Sequence, residues 1–101
     1  MKIDDAVVLY ARRVGEKIPR VHRNQIGETI VSAFLQLAGV RVQVVFSEAT
    51  SSGGCLVETF LEVKGVPLSH ITTATFVVWA ILDTLLLKPH SEWSIWFEPS
   101  I

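Results

Sequence analysis

Between residues 71 and 87 the chain runs for 17 positions without a lysine or an arginine. Ile71, Val78, Leu82 and Leu85 fall on one helical stripe, and Phe76, Val77, Trp79, Ile81, Leu86 and Leu87 fill much of the remaining circumference. A helix apolar nearly all round must be covered on several sides, by its own fold, by lipid or by a second molecule. Lipid is the poorest of these. A span needs about 20 mostly apolar residues, whereas this stretch contains Asp83 and four threonines, Thr72, Thr73, Thr75 and Thr84. A mid-span aspartate alone costs about 2.5–3.5 kcal/mol on insertion. The β-branched residues between 71 and 78 weaken helix propensity. Good helix formers over 79–87, and a length beyond that of ordinary strands, still predict a buried helix over residues 70–87. Ser69 is placed to cap it, and Lys88 and Pro89 to stop it.

Composition sets the setting for that helix. Half of the 101 residues are hydrophobic, 19% are charged and the net charge is -1. Disorder is excluded by that balance. A disulfide scaffold is excluded because Cys55 is the single cysteine. The length fits one domain over residues 1–101. A lone thiol, with no apolar leader near the start, predicts a cytoplasmic protein that does not enter a membrane.

Elsewhere the pattern predicts two more helices and three strands. Ile3, Val7, Tyr10, Ala11, Val14 and Ile18 recur at three- and four-residue steps, which predicts an amphipathic helix over residues 3–18, ended by Pro19. A second helix is expected over residues 24–38, with Asn24 as N-cap and Gly39 as the left-handed residue that closes it. The period then drops to two. Val40, Val42, Val44 and Phe46 alternate with Arg41, Gln43 and Val45, and Cys55 opens a second strand that runs to Lys64. A turn over 47–54 makes these an antiparallel hairpin. Trp93, Ile95 and Phe97 mark a short last strand. The expected fold is therefore α+β in the order α-α-β-β-α-β, a small three-stranded antiparallel or mixed sheet packed against helices.

Candidate chemistry is sparse. Arg12, Arg13, Lys17, Arg20 and Arg23 crowd into a dozen positions opposed by Glu16 alone. Residues 24–101 hold three basic and seven acidic residues, so the surface is polarised. This cluster is the candidate partner-binding site, for an acidic protein surface or for nucleic acid. Nucleic acid has little further support, because no aromatic residue interleaves the cluster and no G-x-x-G is present. Cys55 follows Gly53-Gly54 and would need His22, His70 or His90 as a base. The histidine spacing matches no metal-ligand pattern, and the sequence implies no cofactor. Glu58 and Glu62 share a strand face about 13 Å apart, too far for a paired-carboxylate hydrolase. Asp83 needs a partner or an exposed edge.

The leading expectation is a small non-enzymatic binding or regulatory protein that works through protein–protein contacts and self-associates as a homodimer. Trp79, Trp93 and Trp96 are its candidate interface residues, because aromatic residues are enriched at such surfaces. Nucleic-acid binding through the basic cluster is the alternative, and a small hydrolase or transferase with Cys55 as nucleophile is the third reading.

Overall fold

The computed structural model describes residues 5–16, 31–50, 56–85, 87 and 89–100. Its regular elements are β1 (Ala6–Glu16), β2 (Val31–Leu37), β3 (Val40–Thr50), β4 (Leu56–Pro67), α1 (Ile71–Thr84) and β5 (Ser94–Pro99). The strands form one sheet of five in the order β2-β3-β4-β1-β5. Every pairing is antiparallel.

This corrects the expected α-α-β-β-α-β order and three-stranded sheet. The segment expected as a first helix is β1, inserted between β4 and β5 so that both its edges are hydrogen-bonded. Its alternation is real: Val7, Leu9 and Ala11 are buried, while Val8 and Tyr10 are half-buried and Arg12 and Val14 exposed. The helical stripe through Val7, Tyr10, Ala11 and Val14 mixes residues from both faces of the sheet. The second expected helix is also a strand where it is described, over Val31–Leu37. Its Asn24 cap lies outside the described residues, as do the glycines at 53–54 and Cys55.

Gly39 keeps its left-handed backbone in a different motif. Leu37 pairs with Val40, so Ala38 and Gly39 form a two-residue hairpin loop with φ of 50° and 81°. Two positive φ values make a type I′ turn, whose twist suits antiparallel strands and which favours Asn-Gly. An alanine in this region is strained by about 1–2 kcal/mol. Ala38→Asn is therefore expected to stabilise the protein by about 0.5–1 kcal/mol, seen as a higher urea midpoint with an unchanged slope. A lower midpoint would contradict the turn assignment.

A second positive φ, 86° at Gly65, marks the register shift between β1 and β4. Val7 pairs with Val66 and Val8 with Lys64, which leaves Gly65 as the extra residue of a bulge. The bulge turns the end of β4 into the 3-10 turn Leu68–His70, from which α1 starts. The cap residue is accordingly His70 rather than Ser69, and no side chain caps the helix.

α1 lies on one face of the sheet and buries Ala74, Val78 and Leu82 completely, spaced four apart against β1 and β4. Burial of each large apolar side chain contributes about 1.5–3 kcal/mol, which outweighs the weak propensity of the β-branched first half. Thr75 and Thr84 hydroxyls donate to the carbonyls of Ile71 and Ala80, so these polar groups are satisfied inside the helix. Leu9, Ala11, Val42, Val44, Phe46, Leu61 and Val63 supply the sheet side of the core. Trp93, just before β5, closes it and donates its indole N–H to the Leu87 carbonyl at 3.0 Å. No helix among the described residues is long and apolar enough to cross a membrane.

Candidate functional site

α1 covers one face of the sheet, and among the described residues nothing covers the other. Alternation along each strand decides what this open face displays. β1 contributes Val8, Tyr10, Arg12 and Val14, β4 contributes Leu56, Glu58, Phe60, Glu62 and Lys64, and β5 contributes Ser94, Trp96 and Glu98. Gln43, Val45, Ser47 and Ala49 of β3 continue it. None of these residues is buried.

The apolar members are not scattered. The Tyr10 and Trp96 rings stack across the β1–β5 ladder with centroids 5.4 Å apart and planes 19° from parallel. The Arg12 guanidinium lies 5.8 Å from the centre of the Phe60 ring. Arg41 lies 3.9 Å over the ring of Phe34, whose side chain is 53% exposed. Val14 and Leu56 are each at least half exposed, at 54% and 50%. Among the described side chains of this face, Arg12, Arg41 and Lys64 stand beside Glu58, Glu62 and Glu98. Arg12 donates from both Nε and Nη2 to Glu58 Oε1 at 2.6 Å, and Lys64 Nζ lies 3.5 Å from Glu62. Exposed pairs of this kind contribute about 0–1 kcal/mol each, so they orient side chains more than they stabilise the fold.

Arg12 and Arg13, the two described residues of the basic cluster, are parted by this geometry. Adjacent residues of a strand point to opposite faces, so Arg12 and Arg13 cannot act on one surface. Arg13 lies on the α1 side, where its Nε donates to Glu92 Oε2 at 2.6 Å. Lys17, Arg20 and Arg23 lie outside the described residues.

The three tryptophans also part company. Trp79 is half-buried on α1 and packs against the His90 ring at 4.6 Å between centroids. Trp93 is in the core, and Trp96 is on the open face. Asp83 is exposed and bonded to His90 Nε2 at 2.6 Å. His70 Nδ1 lies 3.0 Å from the Ser69 hydroxyl. Cys55 and His22 lie outside the described residues, and the expected thiol–imidazole pairing lies outside them too. No group of three or more His, Cys, Asp or Glu side chains among the described residues is arranged to hold a metal ion.

A hollow of about 270 Å³ opens where β1 begins, between Asp5, Leu68, Phe97 and Pro99. It brings no convergent set of polar groups together, unlike a site built for a small ligand.

Sequence reasoning missed Tyr10, Phe34, Arg41 and Phe60 as surface residues. Reading residues 6–14 at a period of two would have found Tyr10 beside Arg12. Against protein-family models, curated proteins and solved structures alike, the chain has no match.

Proposed function

We propose that the chain is a non-enzymatic binding protein of the cytoplasm, and that the open sheet face docks a protein partner. The observation that carries this reading is the aromatic and aliphatic surface left exposed on a face of mixed charge. Tyr10, Phe60 and Trp96 are flat, semi-rigid groups of the kind that anchor protein interfaces. Nucleic acid is the weaker occupant. A phosphate backbone calls for free cations, yet Arg12 and Arg13 are each held by a carboxylate of the protein itself.

A photo-crosslinking amino acid tests the face directly. Placed at Val14 and activated in living cells, it is expected to yield discrete protein adducts. The same group at Thr72, exposed on α1, is expected to yield none. An absence of adducts at position 14, or identical adducts from both positions, would overturn the reading.

A further inference from the structure

We infer that the partner on the open face is a second copy of this chain, packed face to face about a two-fold axis that runs along the strands between β4 and β1. This rests on the reading of that face as a protein-docking surface.

The register carries the inference. Across the four strands from β3 to β5, the open face is a set of four-residue rows. Ser47 pairs with Phe60, Phe60 with Arg12 and Arg12 with Ser94. The next row is Val45, Glu62, Tyr10 and Trp96, and the one after it Gln43, Lys64, Val8 and Glu98. A two-fold contact is isologous: where residue i meets j, j also meets i. An axis along the β4–β1 seam turns every row end for end over its own copy.

Arg12 then faces the second copy's Phe60, and Tyr10 faces the second copy's Glu62. Trp96 covers the second copy's Val45. Lys64 meets Val8, Glu98 meets Gln43 and Glu58 meets Val14. No cation opposes a cation, and no carboxylate opposes a carboxylate. The meetings that result are a guanidinium on a ring, a phenol on a carboxylate and an indole on an isopropyl group. The first of these repeats between copies what Arg12 and Phe60 already do within the sheet. A seam between β3 and β4 would leave β5 and Trp96 uncovered, whereas the β4–β1 seam leaves the other edge strand, β2, outside the contact. A face whose described side chains carry both signs of charge attracts no partner of single sign, but it is complementary to itself about this axis.

Ser47 and Ser94 provide the test, because neither is buried and they end one row. Within a chain they stand three strand spacings apart, about 14 Å. Across the proposed axis each lies over the other's copy. S47R/S94R therefore sets arginine against arginine at two symmetric contacts, and S47R/S94E sets arginine against glutamate. In sedimentation equilibrium of the full chain, the wild type and S47R/S94E are expected to be dimers. S47R/S94R is expected to dissociate, its dimer weakened by roughly a hundredfold or more. Matching far-UV circular dichroism of the two variants checks that both fold. A monomeric wild type, or a dimer equally tight in both variants, overturns the self-pairing. The docking face survives that result if the position-14 adducts have masses other than twice that of the chain. Without any adduct, both readings fall.

Discussion

Leu61→Ala lowers the stability of this protein by about 3 kcal/mol, within the 2–5 kcal/mol usual for a buried leucine. For a domain of this size the melting temperature falls by about 10–20 °C. Leu61 is fully buried in the middle of β4, between Ala11 on one side and Phe46 on the other. α1 lies across this face of the sheet, and truncation leaves a void that the flanking ladders hold open. Leu56→Ala is the control. It lies on the same strand but points to the open face, and its cost should stay within about 0.5 kcal/mol. Thermal unfolding by circular dichroism separates the two. Reversed effects, with Leu56→Ala the costlier, would mean that the inward and outward sets of β4 have been exchanged, a slip of one residue in register.

Removing Trp93 should be as severe, and for a reason that sets it apart from the other tryptophans. Trp93→Ala is expected to cost about 3–5 kcal/mol, because the indole fills the core where the chain returns from α1 to β5. Trp93→Phe keeps most of that volume but orphans the Leu87 carbonyl, at a cost of about 1–3 kcal/mol. Trp96→Ala removes a stacked ring from an exposed face and should cost about 1 kcal/mol. If the chain self-associates through the open face, Trp96→Ala also makes unfolding depend less strongly on protein concentration, because it favours the monomer, and Trp93→Phe does not. Denaturant melts at two concentrations read both quantities. A Trp96 variant as damaged as Trp93→Ala would place both indoles in one core.

The apolar segment over 71–87 and the hairpin that precedes it were legible because each had a single admissible period. A run of that length is too long for a strand, and the alternation from Val40 to Phe46 is too regular for a helix. β1 was not legible, and the cause is physical. It lies in the interior of a sheet whose open face also carries Val8, Tyr10 and Val14, so hydrophobic residues occur on both sides and the period of two is blurred. Any such run also contains pairs at three- and four-residue steps. The side chains that disguised the strand as an amphipathic helix include those that β1 displays on the open face.

Gly39 shows a different ambiguity. A helix C′ position and a type I′ turn both require a positive φ, and glycine satisfies either. Asparagine at position 38 would have decided for the hairpin, but alanine is silent. The charged positions suffered from the same error of period. On a helix Arg12 and Arg13 would splay by about 100° and share a surface. On a strand they oppose each other, so these two arginines lie on different faces.

The place of β1 in the sheet also governs when the sheet can form. Leu9 closes one ladder with Val63 and another with Phe97, so a segment made early waits for partners made much later. At roughly 5–20 residues per second on the ribosome, that wait lasts several seconds. Through it both edges of an apolar strand are unsatisfied, the condition under which chains pair with their neighbours instead of with themselves. The adjacent arginines then matter for their opposition. Whichever side the waiting strand turns outward, it presents a positive charge, and two nascent copies cannot stack there without bringing like charges together.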